Sequence, residues 1–357
     1  MEKIMISGYY GFDNAGDEAI LAGILHSLRK KRRDLQFIVL SASPAKTAAR
    51  YNVTAIGRYD ILSIIKGIHE SSLFISGGGS LLQDVTGQKT IPYYLGLVFM
   101  ARLLQTKTVL YSQGIGPVNH IAGKKLINWL ANRVDAISVR DIQSRNLLIE
   151  LGVRKGLIKK TVDPVFALYD KINNHSNYKS ENEKKVPVIG VSIRPWNDNN
   201  YIDKLARGID KLQKKTAAEI YILPMYYGED LLISRKIQER LHCSSYLIEK
   251  EFEPISLMKY FNRFDFFIGV RLHSLIFAAI NRVPFFALSY DPKVANLLKS
   301  FSLNTIININ CKDEIRYANL IKKSWEERRK NRKIIESKLN EFYLEAINQA
   351  GSVLEII

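Results

Sequence analysis

The sequence predicts an α/β protein: two doubly wound halves facing each other across a cleft, followed by a long C-terminal helix. Three observations lead there. Short apolar runs alternate with amphipathic stretches in both halves of the 357 residues. A polar, aperiodic stretch separates the halves, and the chain ends in an extended helical pattern. Short apolar strands separated by helices suit a parallel sheet buried on both faces. At roughly 100–200 residues per domain, the length allows two domains, each able to bury a core.

In chain order, Lys3–Ser7 is an apolar run that stops at Gly8. Glu18–Arg33 follows, with Ile20, Leu21, Ile24, Leu25 and Leu28 at helical spacing. Gln36–Leu40, Leu73–Ser76, Thr108–Tyr111, Ala136–Val139 and Gly156–Val162 read as further strands. The stretch Asp170–Pro187, rich in Asn and Lys, lacks periodicity and reads as a linker. A second series follows: Val188–Ile193, Glu219–Leu223, Tyr246–Ile248, Phe264–Ile268 and Pro284–Ala287. From Asp313 onward one helical pattern places Ile321, Trp325, Ile335, Leu339, Phe342 and Ala346 on a single stripe. The expected organisation is a first domain over 1–172, a linker over 173–187, a second domain over 188–312 and an amphipathic C-terminal segment over 313–357.

Composition narrows the function classes. Hydrophobic residues make up 46% and charged residues 24%, as in an ordinary globular chain. Two cysteines, Cys243 and Cys311, exclude a disulfide framework and a multi-cysteine metal site. No apolar run reaches the roughly 18 residues of a spanning helix, and the N-terminus carries no signal-peptide pattern, so a cytoplasmic protein is expected. The net charge of +17 implies an anionic partner: nucleic acid, a membrane surface or small anionic substrates. The excess is spread along the chain, with 24 basic and 13 acidic residues among the first 180. No nucleic-acid motif accompanies it. Arg328, Arg329, Lys330, Arg332 and Lys333 give the tail a basic face, read first as solvated surface and second as a peripheral contact with an anionic membrane.

The chemistry concentrates at strand ends. Gly8-Tyr-Tyr-Gly-Phe-Asp-Asn-Ala-Gly-Asp-Glu18 joins a strand to a helix, where free backbone N–H groups can meet an anion or polar ligand. Its glycine spacing matches neither GxGxxG nor a Walker A loop. Turn geometry and helix capping account for Gly8 and Asp17, but leave the grouping of Asn14, Gly16 and Asp17 unexplained. Ile75-Ser-Gly-Gly-Gly-Ser-Leu-Leu-Gln-Asp84 places glycines, among them Gly79, directly after a strand, with Gln83 and Asp84 nearby. Ser112-Gln113-Gly-Ile-Gly-Pro117 reads as a third loop of the same kind, and Arg140 and Asp141 follow a fourth strand. Together these suggest one crowded rim, on which Arg140 either serves as a surface salt-bridge partner or holds a carboxylate or phosphate in bidentate fashion.

The second half holds Phe267-Ile-Gly-Val-Arg271-Leu-His273-Ser274 and Ser289-Tyr-Asp-Pro-Lys293. Arg271 and His273 fall where a helix starts after a strand, and Lys293 follows the next strand end. These residues are expected to form an anion site with an acid/base inside it, the alternative being that His273 only caps or packs locally. The remaining histidines show no ligand spacing, and no G-x-S-x-G elbow is present.

GYYGFDNAGDEAIL, ISGGGSLLQDVTG, SQGIGP, SVRD, GVRLHSLIFA and SYDPKV, in this order, resemble the polysaccharide pyruvyltransferase family, and within it the cell-wall (CsaB-type) branch. The resemblance spans about Ile4 to Leu298. It implies a GT-B-like pair of Rossmann-type domains and transfer of pyruvyl from phosphoenolpyruvate. The acceptor it implies is a sugar with free 4- and 6-hydroxyls, typically a β-linked N-acetylmannosamine of a lipid-linked cell-wall precursor used in S-layer anchoring. The products are a 4,6-ketal and phosphate. The family's VRD arginine falls on Arg140, its RLH pair on Arg271 and His273, and its DPK lysine on Lys293. Val270 and Ser274 stand where members often have Met and Ala. His273 and Arg271 are the expected catalytic residues. Arg140, Lys293, Arg271 and Ser274 are expected to bind the donor, and Asn14, Asp17, Gly79, Gln83, Asp84 and Gln113 the acceptor, with Asp17 or Asp84 orienting the diol. Neither a metal nor a cofactor is expected, phosphoenolpyruvate being a co-substrate. Two other functions compete: a nucleotide-sugar glycosyltransferase on the same architecture, and a non-enzymatic binder of lipid-linked glycan.

Overall fold

The computed structural model describes residues 2–85, 87–173 and 186–357; residues 174–185 of the expected linker lie outside them. The chain divides into two compact units, one formed by residues 1–168 with 342–357 and the other by residues 169–341.

Unit 1 is built on β1 (Lys3–Ser7), α1 (Ala15–Lys31), β2 (Gln36–Ser41), α2 (Pro44–Tyr51), β3 (Thr54–Gly57), α3 (Ile61–His69), β4 (Leu73–Ser76), β5 (Gly79–Leu82), α4 (Thr90–Leu103), β6 (Lys107–Ile115), α5 (Ile121–Ala131), β7 (Ala136–Val139), α6 (Ile142–Glu150) and β8 (Ile158–Lys160). The sheet order is β3-β2-β1-β4-β6-β7-β8, with β5 paired to β6, and every pairing is parallel. The order reverses between β1 and β4, and the crevice outside the carboxyl ends of such strands is where open α/β sheets bind ligands. Their side chains are almost wholly buried, as a sheet covered on both faces requires. On one face α1 packs so closely on the turn at Pro164–Leu168 that a Cβ at Gly23 would lie 2.2 Å from the Pro164 carbonyl oxygen.

Unit 2 contains α7 (Tyr169–Asn173), β9 (Val188–Ser192), α8 (Tyr201–Thr216), β10 (Glu219–Ile222), α9 (Tyr227–Arg240), β11 (Ser245–Leu247), α10 (Pro254–Tyr260), β12 (Phe266–Gly269), α11 (Leu272–Ile280), β13 (Phe285–Ser289), α12 (Pro292–Ser300), β14 (Ile306–Asn308) and α13 (Glu314–Glu326). Its all-parallel order β11-β10-β9-β12-β13-β14 is the dinucleotide-fold order, with the reversal between β9 and β12. The terminal helix α14 (Arg328–Leu354) begins in unit 2 and belongs to unit 1 from Phe342 onward.

The expected fold class, two parallel-sheet Rossmann-like domains with a long C-terminal helix, is the one observed. Three strands were not anticipated: β3, β5 and β14. The tail is two helices, because α13 closes at Glu327 and α14 restarts at Arg328. All six residues of its expected stripe are buried. Ser112–Ile115, read as a loop, is the end of β6: β5 flanks it on one side and β7 on the other, pairing its backbone. Ser112 takes a left-handed φ of 46°, and the register to β7 shifts there, as a bulge requires. Among the described residues no helix is long and apolar enough to cross a membrane.

Candidate functional site

In unit 1 the first loop is fastened from below. Glu18, fully buried in α1, accepts from the Gly11 amide at 2.7 Å and the Tyr51 hydroxyl at 2.7 Å, and pairs with Arg50 at 3.2 Å. Tyr10 fills the floor between β1 and β4. A Cβ on Gly8 or Gly77 would lie 2.3 Å from its ring or hydroxyl, so both positions must be glycine. Burial, with Asp17, Tyr94, Glu18 and Asp163 nearby, drives the Tyr10 phenol well above its usual range, so it stays neutral.

Asn14 caps α1, its Oδ1 accepting from the Gly16 amide at 3.0 Å. Asp17 and Gly79 face one another across the reversal. Gly79 has φ +101°, and a Cβ there would come within 3.2 Å of Asp17 Oδ1. Gln113 donates to Ser76 Oγ at 2.9 Å and to the Ser76 carbonyl at 3.1 Å, leaving its buried Oε1 without a partner among the described residues. Gln83 Oε1 accepts from the Val85 amide, and the Asp84 carboxylate accepts from the Asn119 and His120 amides at 2.8 Å. Those two side chains are thus anchored to neighbouring backbone.

Arg140 is held tightly. It pairs with Asp163 at 2.8 Å, both side chains being about 5% exposed or less, and donates to Ser80 Oγ at 3.0 Å. Its guanidinium lies against Gly114, where a Cβ would meet it at 2.7 Å. Ser80, Gly114 and Arg140 are therefore brought together on the rim.

In unit 2, Arg271 occupies the N-cap of α11. Its Nε donates to Asp230 Oδ2 at 2.7 Å and one Nη donates to Asp230 Oδ1 at 2.6 Å and Glu229 Oε2 at 2.9 Å. This is a bidentate fork. Asp230 is fully buried and also accepts from the Tyr226 and Met225 amides. Burial works against the Arg271 charge, but the facing carboxylates outweigh it and keep the group cationic. His273 lies in the first turn of α11. The Ser274 hydroxyl donates to the Arg271 carbonyl at 2.6 Å, completing the start of the same helix. Lys293 stands in the first turn of α12, 3.4 Å from Asp291, whose other oxygen caps the helix through the Lys293 amide.

Between these elements lies a phenol. Arg194, two residues beyond β9, donates to the Tyr290 hydroxyl at 3.2 Å and places its guanidinium 4.9 Å from the ring centroid. Lys293 Nζ is 5.4 Å from that centroid, and the Trp196 ring packs at 4.9 Å. Burial would raise the Tyr290 phenol, yet Lys293, Arg194 and Arg271 together pull it below its usual value. The arrangement offers three cations and a polarised phenol at the carboxyl edge of the sheet, beside two helix N-termini.

A profile of the family described as polysaccharide pyruvyl transferase matches residues 14–292, more than half the chain. The chain belongs to that family.

The pyruvyltransferase is similar in fold to several enzymes of solved structure. The UDP-GlcNAc 2-epimerase of Neisseria meningitidis bound to UDP-GlcNAc is 13% identical, with a TM-score of 0.63, covering 100% of this chain and 99% of the other. HepE of Anabaena in complex with UDP-glucose is 13% identical, with a TM-score of 0.65 and coverage of 99% of each chain. A glycosyltransferase of Rickettsia africae gives 13% identity, a TM-score of 0.62, and 99% and 98% coverage. At this identity the likeness establishes a GT-B-like fold alone. A search of the curated proteins gave no match.

Motif reasoning placed Arg271, His273, Ser274 and Lys293 of the pyruvyltransferase at adjoining helix starts, and the structure brings them there. It did not find Arg194, Trp196, Glu229, Asp230 or Tyr290. Arg194 carries the same signal as Arg140, a cation just past a strand, and Tyr290 sits inside the quoted SYDPKV motif. Asp230, 41 positions from Arg271, gives no local sign.

Proposed function

We propose that this pyruvyltransferase moves pyruvyl from phosphoenolpyruvate onto the 4- and 6-hydroxyls of a sugar, with β-linked N-acetylmannosamine of a lipid-linked cell-wall precursor as the acceptor. The observation that carries the reading is the cation cluster of Arg194, Arg271 and Lys293 around Tyr290, with His273 in the first turn of the adjoining helix. Phosphoenolpyruvate bears a carboxylate and a phosphate, and several fixed cations at helix starts suit such a polyanion.

The reaction needs few parts. C3 of the enol accepts a proton, C2 becomes cationic, and one sugar hydroxyl adds to it. Phosphate then departs with its bonding pair, and the second hydroxyl closes the ring. Of the two hydroxyl protons released, one balances the proton taken up by C3 and the other leaves with phosphate. His273 is the proposed proton-transfer group, Arg271 and Lys293 hold the donor, and Ser274 fixes the Arg271 backbone. On the rim of unit 1, Asp17 orients the acceptor diol beside Gly79, Asn14 and Gln113, while Gln83 and Asp84 support that rim. Arg140, held by Asp163 and Ser80 as Arg271 is held by Asp230 and Glu229, is a further proposed donor-binding residue.

The test combines the protein with phosphoenolpyruvate and an aryl-tagged disaccharide ending in β-N-acetylmannosamine, following phosphate release and the mass of the product. Ketal formation supports the reading. Turnover of UDP-sugars, with phosphoenolpyruvate inert, would transfer the protein to the glycosyltransferase reading.

A further inference from the structure

Arg58 is a buried cation in unusual company. It follows β3 at the carboxyl rim of unit 1 and is only 8% exposed. Among the described residues no carboxylate lies within ion-pair distance. Its Nε and one Nη donate instead to the Tyr93 and Tyr94 hydroxyls, each at 3.3 Å. Four rings surround the guanidinium, with centroids at 4.8 Å (Tyr93), 5.0 Å (Phe12), 5.8 Å (Tyr94) and 5.9 Å (Tyr9). Tyr9 and Phe12 come from the first loop and stack on each other at 4.1 Å.

A buried guanidinium in a protein is normally matched by a carboxylate, because desolvating an unmatched charge is costly. Ring faces and phenols hold this one without neutralising it. Its neighbourhood ties it to the acceptor rim. Tyr94 lies within electrostatic reach of both Arg58 and Asp17. On the outer side the chain turns at once into α3, and Tyr59 just before it, with Ile61, Leu62 and Ile65 in its first turns, stands in solvent, Leu62 at 81%. A retained cation beside an exposed apolar turn matches one kind of ligand: a phosphate ester joined to a hydrocarbon chain.

We propose that Arg58 and the apolar turn after it form a subsite for the phosphate and first chain segment of the lipid carrier on which the acceptor glycan is presented. The inference rests on the lipid-linked acceptor of the proposed function. The sugar meets Asp17 and Gly79, its phosphate reaches Arg58 past Tyr94, and the chain leaves over Leu62.

Calorimetric titration with farnesyl diphosphate tests the subsite without any turnover. Farnesyl diphosphate should bind wild-type protein at least about tenfold more tightly than either farnesol or inorganic pyrophosphate, since both halves contribute. Arg58→Met should weaken farnesyl diphosphate about tenfold or more and leave farnesol unchanged. Leu62→Ser, at an exposed position that does not threaten the fold, should weaken farnesyl diphosphate while leaving pyrophosphate unchanged. Equal affinity of wild type, Arg58→Met and Leu62→Ser for farnesyl diphosphate overturns the proposal. So does a loss confined to binding of phosphatidylglycerol vesicles, which would assign the patch to the bilayer surface. Turnover then separates the inference from its premise. With an aryl-tagged acceptor lacking phosphate, Arg58→Met should keep the wild-type KM, whereas with a diphosphate-linked acceptor the KM should rise. A rise of equal size for both acceptors means that Arg58 only braces the rim, and no turnover of either acceptor by wild type faults the proposed reaction instead.

Discussion

Replacing Asp230 by Asn removes one charge from the fork that orients Arg271 and changes almost nothing in volume. The Asp230 side chain is fully buried and that of Arg271 is 12% exposed, so solvent screens the pair little. Removing one partner of such a pair costs about 3–5 kcal/mol, because the other charge stays buried and unmatched. The surviving Glu229 contact is half-exposed and offsets only a small part of this. For a unit of this size each kcal/mol lowers Tm by about 2–4 °C, so the variant should melt about 10 °C below wild type. Activity should fall as well, since misplacing a binding group by about 1 Å can cost about a hundredfold. Circular-dichroism melting and kcat/KM for phosphoenolpyruvate read the two effects separately. The double variant Asp230→Leu with Arg271→Met should recover much of the lost stability and none of the activity. An Asp230→Asn protein that melts within about 2 °C of wild type, with kcat/KM intact, would refute the view that this fork positions Arg271.

Three further outcomes are expected. His273→Ala should lower kcat by about 10²–10⁴-fold with an unchanged melting curve, and near-normal turnover would remove the imidazole from the chemistry. Gly79→Ala should lose about 1–3 kcal/mol of stability, given φ +101° and the 3.2 Å approach of Asp17, and should raise the acceptor KM; an unaltered urea midpoint would contradict it. The Tyr290 phenol should ionise at a lower pH than an ordinary tyrosine, since Lys293, Arg194 and Arg271 overcome its burial. A depressed pKa favours the folded state above the ordinary tyrosine range, and that contribution disappears as the pH falls through the folded-state value. Lys293→Met should move the phenolate absorbance transition upward, with Tyr290→Phe identifying the signal, and an unmoved transition would show that the cations do not control it.

Strands with a mostly apolar centre were legible. Lys3–Ser7, Leu73–Ser76 and Ala136–Val139 fall where the runs of Ile, Val and Leu begin and stop. The strands that escaped notice lack that signal. Thr54–Gly57 is a half-exposed edge, Ile306–Asn308 has three residues, and Gly79–Leu82 opens on glycine and serine. The site divides in the same way. Arg271, His273 and Lys293 each follow a strand by a few residues, so spacing exposed them. Asp230 reaches Arg271 from the first turn of a helix two strands away in the sheet, and nothing local announces the pairing. Arg58 was invisible for another reason: a single arginine after a weak strand looks like surface, and only its enclosure by Tyr9, Phe12, Tyr93 and Tyr94 makes it distinctive.

The helix α14 sets an order of events at the ribosome. Phe342 packs on Phe166 with ring centroids 5.1 Å apart, and Gln349 donates to Ser138 Oγ at 2.9 Å, so residues of the first unit wait for partners translated after the whole of the second. Domains usually fold as they emerge, N-terminal first. Here the N-terminal sheet can assemble early, with α1 packed against the Pro164–Leu168 turn, while Phe166 and Ser138 lack these partners until residues 342–357 arrive. Newly made chains would therefore leave the Phe166 ring without its Phe342 partner throughout synthesis of unit 2, which is the interval in which a chaperone would have most to shield.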